Sequence, residues 1–423
     1  MRSSGPGRLL TVALAIALGG GAAHAASLSG TAATTLYILE DGSGSDSGTR
    51  TLAYQRLGIS VPGLGRGLSF RGSLVSRNDL SEGDPSLTKT RIHHAALRYR
   101  SADSGVRAAL GRHYVHAGGG SGVIDGVSVR VRAGSRVNLL AYGGTLGHEE
   151  RTELLLLSRD EGSRWGFWSA ARVAGALRLS GGVETVRRDA ETTERNLDTR
   201  ADYRFGRVAS AYAGHRYDME SEEAVETYFG GTVRPAPHHR VTLAYRDRAR
   251  PEIVGGYFAS LFADIEPAAF RRMSAAWRWS VDRDLSLSAN WVSSIRSTDD
   301  ERSDIARGTV SWKNWSVGYR ATRGIAGDRN GLFGSVRRNL RPGLDVRATA
   351  NLQSYERGTV VPVEDGAAAF ALAADYHASD RLKWNTRLEY LNNDRHPYAL
   401  RLLCGVTCNF GIPDDGKNGR AGR

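Results

Sequence analysis

The sequence predicts an all-β protein: a single transmembrane antiparallel up-and-down β-barrel of about 22 strands, within roughly 20 to 24, with long extracellular loops, short periplasmic turns and no plug. Three observations predict it. Apolar and polar residues alternate with period two along most of the chain, an export leader opens it, and the connections sort into long acidic loops and tight turns. Composition removes the other classes. The 423 residues carry 57 Lys and Arg against 45 Asp and Glu, a net charge of +12, with 40% hydrophobic and 8% aromatic residues. That is too apolar for a disordered chain and too polar for a bundle of membrane helices. Length alone suggests two or three soluble domains, a prior that fails for barrels, which run long as one unit.

In residues 1–25, Arg2 and Arg8 precede an apolar run from Leu9 to Leu18, and Ala23-His24-Ala25 forms an A-x-A cleavage site. This is the pattern of a secretory signal peptide, too short in its apolar core to span a bilayer. No later stretch approaches 18 consecutive apolar residues, so no helical span is expected. A periplasmic or secreted β protein is the bland alternative.

The alternation runs strand by strand. Val241, Leu243 and Tyr245 oppose Arg240, Thr242 and Arg246; Leu285, Leu287, Ala289, Trp291 and Ile295 oppose Ser286, Ser288, Asn290 and Ser294. Trp315, Val317, Tyr319 and Ala321 oppose Ser316, Gly318, Arg320 and Thr322, and between Leu344 and Ser354 the polar face reads Asp345, Arg347, Thr349, Asn351, Gln353. Successive residues of a strand face opposite sides, so each segment is a half-buried strand. Long loops are expected at 41–47, 77–89, 115–122, 144–150, 188–196, 218–224, 248–267, 297–303, 324–330, 355–365 and 392–396, alternating with turns such as Lys313-Asn314 and Arg341-Pro342-Gly343. Two strands per long loop give the strand number. The stretch 152–188 resists, offering three candidate strands (152–157, 165–173 and 176–186) where two are needed. In the last strand Tyr398, Leu400, Leu402, Cys404, Val406, Cys408 and Phe410 share an apolar face, like the C-terminal insertion signal of outer-membrane barrels. The barrel is therefore expected over 26–410, followed by a polar tail at 411–423, a departure from that signal.

Amphipathic strands in water pack as two sheets; in lipid one sheet closes, because an open edge leaves backbone groups unpaired in hydrocarbon. Leader, loop asymmetry and terminal strand favour lipid, and hence the outer membrane of a Gram-negative bacterium. The polar face then points into a lumen. Arg98, Arg100, Arg130, Arg132, Arg136, Arg246, Arg307, Arg320, Arg347, Arg387 and Arg401 fall on it, as candidate pore-lining residues. Acids such as Asp79, Glu82, Asp84, Glu191, Glu194, Asp300 and Glu364 fall in the expected loops, so the wall should be basic, the rim acidic, and anions enriched in the channel. The competing expectation is that wall arginines pair with wall acids such as Asp202, Asp345 and Glu389.

Other chemistry is sparse. Cys404 and Cys408 sit about 13 Å apart on an extended strand and read as small apolar residues of the lipid face, a disulfide requiring a sharp bend. Neighbouring His93-His94 and His238-His239 point to opposite faces, and His113 with His116 lacks a third metal ligand. Asp41 to Gly48 lacks the acidic spacing of a calcium loop. No C-x-x-C-H, G-x-S-x-G, H-E-x-x-H or phosphate loop occurs, so neither an enzyme nor a cofactor is expected. The excess base has a place in a pore, which makes nucleic acid an unneeded partner.

Leu110-Gly-Arg-His-Tyr-Val115, then Gly122-Val-Ile-Asp-Gly-Val127, then Leu139-Leu-Ala-Tyr-Gly-Gly144 resembles a segment of plug-less, porin-like outer-membrane barrels of about 400 residues, some of them associated with multihaem cytochromes of metal-reducing bacteria. The resemblance implies a channel. Through its cytochrome-associated members it also implies a structural sheath around a multihaem c-type cytochrome held in the lumen, part of an electron conduit. TonB-dependent transporters need a large N-terminal plug, and strand-like pattern begins here at Leu28. The leading expectation is a passive channel with a basic lumen for small or anionic solutes; the alternatives are the sheath, and an adhesin or assembly barrel with a loop-sealed lumen. Expected partners are outer-membrane lipid and the barrel-insertion machinery.

Overall fold

A computed structural model describes residues 28–41, 48–81, 89–117, 120–147, 162–188, 191–249, 269–296, 300–324, 327–357, 363–393 and 396–411. The alternating segments form β1 (Ser29–Asp41), β2 (Gly48–Gly65), β3 (Leu68–Asp79), β4 (Lys89–Arg100), β5 (Val106–Ala117), β6 (Gly120–Ala133), β7 (Val137–Leu146) and β8 (Ser163–Arg172). They continue through β9 (Leu177–Arg188), β10 (Glu191–Phe205), β11 (Ala209–Asp218), β12 (Glu223–Val233), β13 (His239–Arg248), β14 (Phe270–Ser280) and β15 (Leu285–Arg296). The remainder are β16 (Arg302–Trp312), β17 (Trp315–Gly324), β18 (Arg329–Arg341), β19 (Leu344–Arg357), β20 (Val363–His377), β21 (Leu382–Asn393) and β22 (His396–Phe410). All belong to one 22-stranded sheet, each strand antiparallel to the next in sequence. β22 returns to pair with β1, from Gly30↔Phe410 to Asp41↔Ala399, and the sheet closes. Closure leaves the sheet without a free edge strand, the condition for a β wall in hydrocarbon. No helix forms among the described residues.

Directly opposed residues of neighbouring strands share a face, so the registers carry one assignment around the barrel. Trp291 opposes Ala306, which opposes Ala321; Asn290 opposes Arg307, which opposes Arg320. The first set looks outward and the second inward. Outward aromatics gather near the short-turn end, where Tyr99, Tyr203, Phe205, Trp312, Trp315 and Trp384 are exposed. A second group, Trp165, Trp291 and Tyr390, lies further along their strands toward the long-loop end. Two aromatic bands flanking an apolar zone are the girdles of a membrane barrel. Cys404 and Cys408 both lie on the outer face of β22, free and exposed.

The turns at one end are short. In the turn 281–284 the Asp282 carboxylate accepts the N–H groups of Leu285 and Asp284, each at 2.7 Å, which holds its pKa below the usual carboxylate value. Gly343 has φ of 82°, the left-handed backbone that the two-residue turn 342–343 requires. The opposite end departs from expectation. The long loops expected at 115–122, 188–196 and 392–396 are mostly strand, with only 118–119, 189–190 and 394–395 between the paired strands, and 218–224 reduces to the turn 219–222. Polar residues mark a loop only where a strand would otherwise meet lipid; a hairpin that continues beyond the bilayer is polar on both faces and still pairs. Glu191 and Glu194, expected in a loop, accordingly belong to β10, and Asp79 ends β3. The ambiguous stretch supplies β8 and β9 across the turn 173–176. The third candidate strand at 152–157, the leader at 1–25 and residues 412–423 of the tail lie outside the described residues.

Candidate constriction hairpin and lumen wall

β5 leaves the wall part-way along its length. It pairs with β4 only from Arg100↔Arg107 to Ala95↔Arg112, whereas its pairing with β6 continues to Ala117↔Gly120. At the parting point Gly111 has φ of 114°, and the place of a Cβ is taken by the Ala95 carbonyl. Only glycine fits such a backbone without strain. Next along, Arg112 opposes Asp125, and both side chains are 0% exposed. The guanidinium donates through Nε to Oδ1 at 2.8 Å and through a terminal nitrogen to Oδ2 at 2.6 Å. Its other terminal nitrogen donates to the Ile92 carbonyl at 3.1 Å, reaching β4 where the ladder has stopped. A buried charge pair of this geometry is bidentate and satisfied, and removal of one member is costly.

Beyond that pair the hairpin folds back along the inner wall. Val115, Ala117 and Ile124 form one buried cluster with Leu140 and Tyr142 of β7, and Trp168 of β8 packs against it. Leu140 opposes Arg130 on β6, far below the tip, so an unbent hairpin would carry Val115 past the end of β7. Gly122, near the tip, lies against the guanidinium of Arg164, an inner-face residue of β8. Gly126 and Gly144 press backbone to backbone, and a Cβ on Gly126 would meet the Gly143 carbonyl and the Gly144 Cα. His113 is bonded through its ring nitrogens to the Gly111 carbonyl and the Ser128 hydroxyl, each at 2.8 Å, a structural role in the hairpin base. Arg164 donates to both carboxylate oxygens of Glu184, at 2.8 and 2.9 Å, and the Tyr142 hydroxyl donates to the same carboxylate. The anchor of the tip is thus itself anchored. This hairpin contains the Leu110–Val127 part of the segment that carried the family resemblance; alternation marked it as strand and loop, and only the glycines hinted at the fold.

Ten of the eleven predicted arginines share the inner face: Arg98 and Arg100 on β4, Arg130 and Arg132 on β6, Arg246 on β13, Arg307 on β16, Arg320 on β17, Arg347 on β19, Arg387 on β21 and Arg401 on β22. Arg136 does not. It occupies the turn 134–136 at the rim, because β6 ends at Ala133 and β7 begins at Val137. Arg307, Arg347, Arg387 and Arg401 line one cavity of about 410 Å³ on the concave side. Arg307 also borders a second cavity of about 430 Å³ with Arg240 and Arg278, opposed residues that the sequence reading left out although the same alternation points to them. The Arg307 guanidinium lies over the Phe333 ring, 4.2 Å from its centroid.

Acids also stand on the wall beside the arginines, the arrangement of the competing expectation. Asp202 is held by Arg200 at 2.7 Å, Asp345 by Arg337 at 3.1 Å and Glu389 by Arg387 at 2.6 Å, so the named acids do have arginine partners. Only Arg387 of those three partners was a predicted site residue. Arg246 pairs with Glu226 at 2.8 Å. Asp198, Arg216, Glu226 and Arg248 oppose one another in turn across β10 to β13, an alternating row with contacts of 2.9 Å from Arg216 to Asp198 and 3.4 Å from Arg248 to Glu226. Among the described residues Arg307, Arg320, Arg347 and Arg401 have no carboxylate within 4.0 Å. Ion pairing is dense from β9 to β13, whereas Arg98, Arg100, Arg130 and Arg132 on β4 and β6, like those four on β16 to β22, have no carboxylate within 4.0 Å among the described residues.

A closed 22-stranded antiparallel barrel with one hairpin turned against its inner wall defines the class: a transmembrane β-barrel. No family model matches the sequence, and no curated protein does. Solved structures with a similar fold include Pseudomonas aeruginosa OpdQ, at 11% identity and a TM-score of 0.45 over 90% of this chain and 97% of that one. Pseudomonas aeruginosa OccK2 (OpdF) is similar at 12% identity and a TM-score of 0.45, over 91% and 98%. The usher PapC translocation pore is similar at 10% identity and a TM-score of 0.46, over 91% and 100%. At this distance the likeness concerns the fold alone.

Proposed function

We propose that the protein is a passive outer-membrane channel for small anionic solutes, delivered by the leader at 1–25 and inserted as a barrel over 26–410. One observation carries the proposal: arginines without carboxylate partners face the inner side of a closed wall that the 112–125 hairpin narrows without crossing as a separate plug domain. Such a wall lowers the energy of an anion in a low-dielectric passage and raises its local concentration. Arg98, Arg100, Arg130, Arg132, Arg246, Arg307, Arg320, Arg347, Arg387 and Arg401 line the pore in this reading, and Arg136 acts at its mouth. No catalytic step and no cofactor is assigned. The test is the reversal potential of the purified barrel in a planar bilayer under a salt gradient. Arg130→Glu, Arg132→Glu and Arg347→Glu together move selectivity toward cations; an unchanged reversal potential overturns the basic-lumen argument. The sheath reading needs a lumen clear for a threaded cytochrome, and the hairpin occupies part of that space, which ranks it second. Stoichiometric covalent haem co-purifying in mild detergent reverses that order.

A further inference from the structure

On the outer surface of β16 to β21, at the short-turn end, we infer a binding site for the headgroup of an anionic glycerophospholipid of the periplasmic leaflet. The inference rests on the barrel spanning the outer membrane with its short turns on the periplasmic side. Trp312 and Trp315 oppose each other across the turn 313–314 and are 54% and 57% exposed. Trp315 opposes Val336, and Tyr376 opposes both Leu344 and Trp384, so these rings form one outward platform. Three cations stand at its edge. Lys313 places its ammonium 5.2 Å from the Trp312 ring centroid, and Arg341 places its guanidinium 5.2 Å from that of Tyr376. Arg338 opposes Val346 on the same outward face, between Val336 and the 60% exposed Leu340.

The direction of these side chains decides the ligand class. Lys313 and Arg341 lean outward onto aromatic rings of the lipid-facing side rather than inward to the mouth. Nearby inner-face acids are taken by other cations, Asp345 by Arg337 and Asp375 by Lys383 at 3.1 Å. The adjoining turns add Arg283 and Arg381 against Asp284 and Asp380, while the Asp282 carboxylate is hydrogen-bonded within its own turn and also feels the Lys313 charge without an ion-pair contact. Aromatic rings at headgroup depth beside cations with no carboxylate within 4.0 Å among the described residues match a phosphodiester above an acyl chain. A soluble acidic protein would have no use for the apolar platform.

The experiment compares three full-length proteins by native mass spectrometry after incubation with cardiolipin or phosphatidylcholine. They are the parent, the Lys313→Gln/Arg338→Gln/Arg341→Gln variant, and a control with Arg66→Gln, Arg207→Gln and Arg234→Gln on distant turns. The parent retains cardiolipin over phosphatidylcholine. The patch variant loses retention about five-fold per cation removed, and the control keeps it. Equal retention of both lipids, equal loss in the control, or full displacement of cardiolipin by soluble polyglutamate overturns the inference. Insertion into liposomes, followed by heat-modifiable migration, is measured in parallel: a parent that fails to insert refutes the membrane reading, whereas one that inserts without preferring cardiolipin refutes only the lipid site.

Discussion

Replacing Asp125 with alanine removes the carboxylate from an Arg112 guanidinium that is 0% exposed, without touching the barrel wall below. Breaking a buried ion pair by deleting one member costs about 3 to 5 kcal/mol, because the remaining charge is still desolvated. Against this stands the packing that keeps the hairpin inward. Val115 and Ile124 are 5% and 0% exposed in the cluster with Leu140 and Tyr142. Burial of such side chains contributes about 1.5 to 3 kcal/mol each. The two quantities are of the same size, so Asp125→Ala releases the hairpin in a substantial fraction of molecules while the barrel stays closed. In single-channel recordings the variant conducts more than the parent. Val115→Cys introduced into it reacts faster with a water-soluble maleimide than Val115→Cys in the parent background. The double variant Arg112→Met/Asp125→Leu, which removes both charges and keeps volume, restores the parental conductance. If Asp125→Ala leaves conductance and labelling unchanged, or if the double variant is as open as the single one, the ion pair does not hold the hairpin.

Gly126→Ala inserts a methyl group between Gly126 and the backbone of Gly143 and Gly144, an overpacking that costs at least about 1 to 3 kcal/mol and lowers the heat-modification temperature on gels; parental behaviour would show that the close approach is absent. Arg216→Ala leaves Asp198 and Glu226, 7% and 5% exposed, without the cation between them, and destabilises the barrel in thermal melts. Arg320→Ala, by contrast, relieves an opposed like-charged pair with Arg307 and leaves the melt unchanged while weakening anion selectivity; a large loss of stability would contradict the assignment. Cys404 and Cys408 stay reduced under oxidising conditions and react with a lipid-soluble maleimide but not with a charged one, and a reductant-sensitive gel shift or rapid reaction with the charged reagent would place them elsewhere.

Where a residue's environment follows from its own strand, the sequence announced it. The apolar face from Leu400 to Phe410 is the outer face of β22, and Asp345, Arg347 and Thr349 are on the inner face of β19, because alternation against lipid is a local rule. The hairpin is not local. His113-Tyr114-Val115-His116 alternates like any strand, and its inward course depends on β4 ceasing to pair at Ala95 and on Leu140, Tyr142 and Trp168, which belong to other strands. The same holds for Arg136. Its polarity fits a lumen position, and only the register of β6 with β7, ending at Ala133↔Val137, moves it to the rim. Asp202, Asp345 and Glu389 are legible as wall acids from alternation, whereas Glu184, Asp198 and Glu226 look unfavourable one at a time and become tolerable only beside arginines, Arg164, Arg216 and Arg246, from neighbouring strands.

The seam between β1 and β22 has a kinetic consequence. Every other strand pairs with neighbours adjacent in sequence, but Gly30 must wait for Phe410 and Asp41 for Ala399. Until the last strand is made, both ends of a growing ribbon carry unpaired N–H and C=O groups, which invite pairing with other chains in water and are costly in hydrocarbon. Neighbour hairpins form early and cheaply, whereas closure joins the most distant parts of the chain in one late event. The rate at which this barrel matures is therefore set at one line along its wall, and a substitution that weakens the β1–β22 contact slows maturation more than it weakens the finished barrel.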